Sequence, residues 1–386
     1  MLSNNLIRMC AAGSGKTWGI CSDALNFIRN NPSPKRILIL TYTNRGVEAI
    51  EWEIKKQNHG VIPSKINIQT WYSFLLIELI KPHQTYLFQI NEVESIDFSA
   101  VYGQINYFKK GNKNRYINKN KDLKSNFVAE LAIFLNDCSS NLVIKRLEQI
   151  YSHIFIDEVQ DMAGYDLDII ALLMKSNINI ICVGDNKQAT FKTNTSIKNK
   201  KKSGKNIWEF FWEQKSKNIA TIEENLVSRR FNESICNFAN LVYPNANNMT
   251  TSMSEKTNHD GIFFVQKCDI ETYYMQFQPI ILRYDSRTDV GNFNAMNFGE
   301  SKGLTFNRII IFPNKQFEQF LFQKKALGAP QKYYVAVTRP KYSIAFVVDS
   351  LPKGDCYEQQ VLNIEGKTIF ISQLLIEVNQ TETIAV

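Results

Sequence analysis

The feature that most constrains this chain is a glycine-rich octapeptide, Cys10–Thr17, with the sequence CAAGSGKT. It follows the short apolar run Leu6–Met9 and precedes a stretch of helical periodicity that extends through Ile28. This is the spacing of a Walker A loop, with Cys10 in place of the usual first glycine. In such a loop, backbone N–H groups surround phosphate oxygens at the positive end of a helix. The octapeptide therefore predicts a nucleoside triphosphate site.

The side chains of this loop suit phosphate and magnesium. We expect the Lys16 ammonium to neutralise charge on the β- and γ-phosphates and the Thr17 hydroxyl to bind Mg²⁺. A chance GSGKT in an ordinary loop is the alternative, which the flanking strand and helix patterns disfavour. The residues expected to bind the nucleotide here are Ala12, Gly13, Ser14, Gly15, Lys16 and Thr17.

A second motif lies at the end of another apolar run, Ile154–Ile156, which is followed by Asp157 and Glu158. We expect Asp157 to hold Mg²⁺ and Glu158 to polarise the attacking water, as in a Walker B strand. The alternative for an acidic pair at a strand end is a helix N-cap. The occurrence of the Asp–Glu pair together with the glycine-rich loop favours hydrolysis of a nucleoside triphosphate.

Short apolar runs alternate with helical patterns along the chain, which predicts an α/β fold. Continuous runs rich in β-branched residues are typical of parallel strands buried on both faces. The rhythm is repeated in the second half, so we expect two lobes. The principal runs are Arg36–Leu40, Ser152–Ile156, Ile178–Val183, Ile219–Glu223, Arg308–Phe312 and Ile344–Val348.

Composition excludes several classes of protein. The seven cysteines of the 386 residues are scattered without a CxxC pair, which argues against a disulfide framework and for a reducing, cytoplasmic location. No apolar run approaches the roughly 18 residues of a membrane span. The net charge of +8 is compatible with a polyanionic partner. Of two basic segments, 109–126 is expected to be a solvated loop or the tip of a small inserted subdomain, and 192–206 a mobile loop; phosphate contact is the open alternative for both.

Seven motifs in a fixed order, one of which contains the Asp157–Glu158 pair, resemble those of UvrD/Rep-like superfamily 1 DNA helicases. The resemblance spans residues 10 to 349 and implies two RecA-like P-loop lobes with parallel sheets and an ATP cleft between them. It also implies ATP and Mg²⁺ as cofactors, single-stranded DNA as a partner, and movement with 3′→5′ polarity. The motifs are Thr41–Arg45, Thr70–Phe74, Asp157–Asp161, Val183–Gln188, Ser228–Phe231, Ser301–Phe306 and Tyr334–Lys341.

The resemblance assigns roles to single residues. Gln188 is similar to the γ-phosphate and water sensor, while Arg230 and Arg339 resemble the two arginines that reach the γ-phosphate from the second lobe. An ordinary salt bridge or a DNA phosphate contact is the alternative for each arginine. The implied catalytic residues are Lys16, Glu158, Gln188, Arg230 and Arg339, and Asp157 and Gly303 complete the implied nucleotide contacts.

For nucleic acid, Tyr42 and Phe191 occupy positions where the family places aromatic rings that stack on bases. Such rings accept any base, which suits movement independent of sequence. The remaining implied contacts are Asn44, Thr70 and Trp71, whereas core packing is the expectation for Phe74. The chain departs from the family pattern at several positions, among them Tyr72, where the family has histidine, and Thr193, where it has tryptophan.

The family comparison also implies boundaries. We expect a first lobe over 1–215 with a small inserted 1B region near 78–148, and a second lobe over 216–386 with a strongly reduced 2B insertion near 241–298. Relatives carry a large subdomain at the second insertion. We therefore expect a motor with reduced accessory parts, which would depend on a protein partner or self-association to unwind duplexes.

Three functions compete at this point. The leading interpretation is an ATP-dependent single-stranded DNA translocase or helicase. The second is a DNA-stimulated regulatory ATPase, sensing DNA ends or single strands in a repair or anti-phage complex with a nuclease, by analogy with compact proteins of the Gabija type. The third is a degenerate nucleoside triphosphatase that only binds nucleic acid, against which the complete set of motif residues argues.

Overall fold

The computed structural model describes residues 4–30, 33–99, 107–190, 193–194, 196–244 and 247–376. The predicted contact residue Phe191 lies outside this range. The chain divides into two compact units. The first unit comprises residues 1–10 and 15–224, and the second comprises residues 11–14 and 225–386.

The first unit is a six-stranded sheet, within the described residues, flanked by helices; the strand order is β3-β2-β6-β7-β1-β8. Its strands are β1 (Leu6–Cys10), β2 (Arg36–Thr41), β3 (Ile66–Thr70), β4 (Ile96–Asp97), β5 (Leu123–Lys124), β6 (Tyr151–Ile156), β7 (Asn179–Gly184) and β8 (Thr221–Asn225). Its helices are α1 (Lys16–Asn30), α2 (Asn44–Gln57), α3 (Trp71–Phe74), α4 (Lys113–Tyr116), α5 (Val128–Cys138), α6 (Leu142–Ile150), α7 (Tyr165–Met174) and α8 (Ile207–Ser216). The short pair β4 and β5 forms a separate ribbon.

The register of this sheet positions the predicted site. Strands β3, β2, β6, β7 and β1 pair in parallel, which confirms the predicted sheet. Met9 pairs with Gly184, and Ile156 pairs with Cys182. Because the carboxyl ends of parallel strands meet at one edge of a sheet, the glycine-rich loop after β1 and the acidic turns after β6 and β7 lie together.

Both faces of the sheet are covered. Helix α1 buries Ile20 and Ala24 at helical spacing, and α2 buries Ile50 and Ile54 in the same cluster. Helices α5 and α7 cover the other face in a second cluster. Each of the larger apolar side chains contributes about 1.5–3 kcal/mol when fully buried. This two-sided burial explains why strands such as β2 are continuously apolar.

No single helix among the described residues is both long and apolar enough to cross a membrane. The neighbouring segments Ser125–Cys138 and Leu142–Ile150 reach that length and composition together, but they are bent by 98° at their junction. Most of the apolar side chains of these segments pack into the core of the first unit.

The second unit contains a seven-stranded sheet, in its described part, of order β13-β12-β14-β15-β11-β17-β16. Its strands are β9 (Val227–Ser228), β10 (Thr250–Thr251), β11 (Gly261–Gln266), β12 (Ile280–Arg283), β13 (Met296–Asn297), β14 (Phe306–Phe312), β15 (Pro340–Val348), β16 (Tyr357–Ile364) and β17 (Lys367–Leu374). Its helices are α9 (Glu233–Val242), α10 (Ile270–Phe277), α11 (Lys315–Gln323) and α12 (Pro330–Val337). Five strands from β13 to β11 pair in parallel, whereas β17 and β16 add an antiparallel hairpin at the edge.

Candidate nucleotide site and nucleic-acid groove

The glycine-rich loop has the backbone that phosphate binding requires. Gly13 and Gly15 have φ angles of +74° and +84°, in the left-handed region that favours glycine. The N–H of Gly19 donates to the Gly15 carbonyl at 2.8 Å, so the helical ladder of α1 starts directly after the loop. The buried hydroxyl of Ser14 has no hydrogen-bond partner among the described residues. A buried hydroxyl beside the N–H groups of a helix start and a lysine fits a phosphate group.

The acidic turn after β6 is tightly held. The N–H of Asp157 donates to the Leu40 carbonyl at 2.8 Å, and the buried Asp157 carboxylate accepts from the N–H of Glu158 at 2.9 Å. Glu158 itself has a φ of +55° and a ψ of +37°, a left-handed conformation that is uncommon for a residue with a side chain. Such strain persists where the surroundings enforce it, and it is concentrated at functional sites.

A hydrogen-bonded chain connects Glu158 to Gln188. The Gln160 side-chain amide donates to the Glu158 carboxylate, and its carbonyl oxygen accepts from the N–H of Asp185 at 3.0 Å. The Asp185 carboxylate in turn accepts from Gln188 Nε2 at 2.8 Å. Gln160 is fully buried. The motif letters alone assign no role to Gln160 or Asp185, although both residues belong to the motifs on which the resemblance rests.

Lys16 contributes to the electrostatics of this series of hydrogen bonds. Burial raises the pKa of the Asp185 carboxyl, and the Lys16 ammonium and the Gln188 hydrogen bond oppose that rise. The same hydrogen bonds require glycine at position 184, where the backbone lies close to the Gln160 side chain: a Cβ there would lie 2.6 Å from Gln160 Oε1. Lys16, Glu158 and Gln188 are thus gathered in the first unit around one polar network.

The second unit brings its predicted residues together in the same way. The Arg339 guanidinium is buried and donates to the Val335 carbonyl at 2.7 Å and to the Leu304 carbonyl at 3.2 Å. Arg230 Nη1 donates to the Thr338 carbonyl at 3.0 Å. Gly303, next to Leu304, has a φ of +83°. The Arg339 guanidinium is thus buried and is held by backbone carbonyls of two motifs.

A pocket of about 440 Å³ lies on the first unit, and its lining includes the predicted contact residues Tyr42, Asn44 and Thr70. Tyr72 and Phe98 also line it. The ring centroids of Tyr42 and Tyr72 are 6.2 Å apart, and those of Tyr72 and Phe98 are 4.8 Å apart at an interplanar angle of 86°. We call this pocket, with its three rings, the aromatic groove.

Capping of two helices explains where these residues lie. The Thr43 side chain caps α2 by accepting from the Gly46 N–H, and the Thr70 side chain caps α3 by accepting from the Ser73 N–H. Two neighbouring parallel strands, β2 and β3, therefore end in helix caps side by side. This is the reason that Tyr42 and Tyr72 emerge next to each other.

Trp71 is placed differently from the expectation. Its side chain is fully buried, and its indole N–H donates to Asp166 Oδ1 at 2.8 Å. It does not line the aromatic groove in this structure. Phe74 is buried beside it, as expected, with ring centroids 5.6 Å apart. Two rings of the groove are not predicted from the sequence: Tyr72, which occurs in a quoted motif, and Phe98, for which the sequence offers no clear signal.

A glycine-rich loop after β1, an Asp–Glu pair after β6 and a Gly–Asp turn after the intervening β7 together define a P-loop nucleotide-binding fold. The family model described as UvrD/REP helicase N-terminal domain matches residues 2–127 and 78–205, overlapping segments that span more than half of the chain. The chain belongs to the UvrD/REP helicase family.

Individual relatives are distant. The probable DNA helicase II homolog of Mycoplasma genitalium is 23% identical over 237 residues, which cover 47% of this chain and 33% of that protein. The chain thus matches about a third of the length of this curated relative. Among solved structures, the arterivirus nonstructural protein 10 helicase in complex with DNA has 13% identity and a TM-score of 0.46, covering 89% of this chain and 60% of that one. Methylated PRRSV nsp10 helicase has 13% identity and a TM-score of 0.24, and the match covers 96% of this chain and 61% of that one.

Proposed function

We propose that the protein is an ATP-driven translocase on single-stranded DNA, of the UvrD type and with 3′→5′ polarity. The observation that carries this proposal is the hydrogen-bonded chain from Glu158 through Gln160 and Asp185 to Gln188. It links a general base at the Walker B turn to a polar side chain after the neighbouring strand. Hydrolysis of a γ-phosphate needs these two groups to be oriented together.

In this proposal the residues of the first unit have separate tasks. Lys16 neutralises phosphate charge, and Glu158, held by the Gln160 amide, accepts the proton of the attacking water. Gln188, oriented by the Asp185 carboxylate, senses the γ-phosphate. Thr17 and Asp157 supply the oxygen ligands that Mg²⁺ prefers, and the bound ion would neutralise charge on the β- and γ-phosphates.

We assign Arg230 and Arg339 to the γ-phosphate, where guanidinium groups stabilise charge that develops in the transition state. The hydrogen bonds of Arg339 to the Val335 and Leu304 carbonyls join two of the motifs of the second unit. If Arg339 exchanged these hydrogen bonds for contacts to phosphate, binding or release of the nucleotide would change the positions of both motifs. Gly303 lies in the segment that such an exchange would move.

The aromatic groove is the proposed path of single-stranded DNA. Its rings offer stacking surfaces that accept any base, and Asn44 and Thr70 offer polar contacts to the backbone. Phe98 exposes 61% of its surface, so its ring is accessible to a base. Stacking without base-specific readout suits a protein that moves along DNA of any sequence.

The reduced insertion near 241–298 bears on unwinding. We propose that the isolated chain translocates on single strands but unwinds duplexes poorly unless a second copy or a partner, such as a nuclease, supplies the strand-separating element. The regulatory ATPase role is the alternative outcome of the same experiment.

Two measurements on the purified chain test the proposal. ATP turnover should rise with single-stranded DNA far more than with duplex DNA or RNA. Streptavidin should be displaced faster from a biotin at the 5′ end of a single strand than from one at the 3′ end, because a 3′→5′ motor runs toward the 5′ end. DNA-stimulated turnover without displacement would support the regulatory role instead, and efficient unwinding of a long tailed duplex by a monomer would contradict partner dependence.

A further inference from the structure

The outermost strand of the second unit, β16, presents an open edge. It ends the seven-stranded sheet and pairs, among the described residues, with β17 alone. Natural proteins usually protect such an edge with lysine, proline or a bulge, because its free backbone groups can pair with another chain. β16 is eight residues long, contains no lysine or proline, and pairs with β17 without a register shift. Its edge is therefore suited to pairing with a further strand.

The hydrogen bonds of the hairpin determine which backbone groups of β16 face outward. The Leu375 N–H donates to the Cys356 carbonyl at 2.9 Å. Along an antiparallel strand, successive residues alternate between bonding to the neighbouring strand and pointing away from it. Counted from Cys356, the backbone groups of Gln359, Val361 and Asn363 point away from β17. The side chains of these three residues are exposed as well.

An exposed apolar pair lies on one face of the hairpin. Val361 and Phe370 are cross-strand neighbours, and each exposes 55% of its surface. The next pair on the same face, Tyr357 and Leu374, packs against the apolar cluster that the helices of the second unit cover. The cover thus ends between the two pairs. Burial of Val361 and Phe370 in an interface would be favourable, because it removes apolar surface from water.

A second copy of the chain fits this edge. Two identical strands related by a two-fold axis perpendicular to the sheet pair in the antiparallel sense. With the axis at Val361, this residue lies opposite the partner's Val361, and Gln359 lies opposite the partner's Asn363. All of these residues have outward backbone groups, so each opposition is a hydrogen-bonded pair. A shift of two residues would place an amide side chain opposite Val361 instead.

The side chains agree with this register. Phe370 and Val361 of one copy, followed by the partner's Val361 and the partner's Phe370, form a continuous apolar row across the axis. Glu358, the one charged residue of β16, lies opposite the partner's Ile364. Like charges directly opposite each other destabilise a sheet, and this register opposes none within β16. The strand is therefore complementary to itself in shape of pairing, apolar surface and charge.

We propose that the protein associates through β16 into a two-fold symmetric dimer, in which two seven-stranded sheets form one continuous sheet with Val361 at the axis. This inference goes beyond the proposed function, because the association requires neither nucleotide nor DNA. A single strand edge is a small interface compared with the roughly 800 Å² per partner of a standard one. We therefore expect a dissociation constant in the micromolar range.

The test is the mass of the full chain in solution, measured by sedimentation velocity from low to high micromolar concentration without nucleotide or DNA. Val361→Lys opposes two ammonium groups at the axis, and Val361→Glu opposes two carboxylates. Each change should raise the dissociation constant by about tenfold or more, because apolar contact is lost and like charges meet. An equal mixture of the two variants should restore the dimer, because the opposed charges then attract. Ile280→Lys, at an exposed apolar position of β12, is the matched control and should associate as wild type.

A further variant tests the backbone. Val361→Pro removes the central outward N–H without removing a hydrogen bond to β17, and proline is tolerated where the N–H of an edge strand faces solvent. We expect this variant to be folded, by circular dichroism, and monomeric. It keeps the test open if a charge at position 361 prevents folding.

Three outcomes would overturn the proposal. A wild-type chain that stays monomeric throughout would leave the edge to another occupant: a loss of unfolding free energy in Val361→Lys would then indicate residues 377–386 of the same chain, and unchanged stability would indicate a different protein. A dimer that persists in Val361→Lys and Val361→Pro would place the interface elsewhere. Monomeric variants that do not associate when mixed would show that Val361 does not lie opposite its own copy.

Discussion

Thr193 holds the buried carboxylate of Asp166. Its hydroxyl donates to Asp166 Oδ2 at 2.5 Å and accepts from the Ala163 N–H at 2.9 Å, while its carbonyl accepts from the Tyr72 hydroxyl. The same carboxylate accepts from the indole of Trp71. A single threonine thus connects a ring of the aromatic groove to the first turn of α7.

Thr193→Val should lower the free energy of unfolding by about 2 kcal/mol, because it leaves the Ala163 N–H unpaired and removes one donor from a buried carboxylate. Thr193→Ser keeps the hydroxyl and should lie within about 1 kcal/mol of wild type. Urea unfolding at neutral pH measures both. Equal stability of the two variants would show that the hydroxyl does not act in this way.

Stability should depend on pH through Asp166. Burial raises the pKa of its carboxyl to about 6, against the hydrogen bonds from Thr193 and Trp71. Since this value exceeds the unfolded pKa of 3.8, the folded state binds the proton more tightly, and stability is lost as the pH rises from about 4 through about 6. Asp166→Asn removes the titration. Relative to this variant, wild type should lose on the order of 3 kcal/mol between pH 4 and pH 7. A difference between the two proteins that stays constant across pH would refute the assignment.

Turnover should depend on the Walker residues. Lys16→Ala should abolish ATP binding or hydrolysis, whereas Glu158→Gln should retain binding and slow hydrolysis by about 10²-fold or more, because proton transfer loses its base. Glu358→Gln, at an exposed position of β16, is the matched control. Single-turnover hydrolysis and binding of a fluorescent nucleotide separate the two effects. Near-normal hydrolysis by the Glu158 variant would contradict its catalytic role.

Gly184 should tolerate no side chain. In Gly184→Ala the new methyl group would meet Gln160 Oε1 at 2.6 Å and Val159 Cγ2 at 2.8 Å, which displaces the amide that holds Glu158. We expect turnover to fall by about tenfold or more, since misplacing a catalytic group is costly. Gly19→Ala in α1 meets nothing within 4 Å and should stabilise the helix by up to about 1 kcal/mol. Equal activity of the two variants would argue against the network.

Single-strand binding should depend on the aromatic groove. Replacement of Tyr42, Tyr72 or Phe98 by alanine should each cost about 1–3 kcal/mol of binding free energy without changing base preference, because stacking accepts every base. Phe370→Ala removes a similarly exposed ring from β17 and should have no effect. Anisotropy titrations with strands of different composition provide the measurement. A base-specific loss would indicate readout by hydrogen bonds rather than stacking.

The fold of the first unit could be predicted because its central strands, such as β2 and β7, are largely apolar runs between helical segments. The C-terminal hairpin escaped prediction, although its signal was present. Glu365 and Gly366 have φ angles of +48° and +82° and join β16 to β17 as a two-residue turn. A residue followed by glycine between two alternating segments is typical of such a hairpin.

For the candidate site, the sequence motifs predicted which residues are present but not how their side chains are arranged. Side-chain direction depends on tertiary packing, which is why the burial of Trp71 and of Arg339 was not foreseen. The role proposed for Gln160 depends on its hydrogen bond with Asp185, which follows a different strand. Phe98 reaches the aromatic groove only because the short ribbon of β4 and β5 carries it there.

The net charge of +8 is unevenly distributed along the sequence. Residues 109–126 hold seven basic side chains and one acidic side chain, and residues 192–206 hold six basic side chains and none that is acidic, so the rest of the sequence carries more acidic than basic side chains. Attraction between these two segments and a polyanion acts over roughly 10 Å at 0.1 M salt, before any contact forms. A protein with this distribution of charge would be turned during its diffusional approach, so that the association rate, and not only the strength of the final complex, would depend on the two segments.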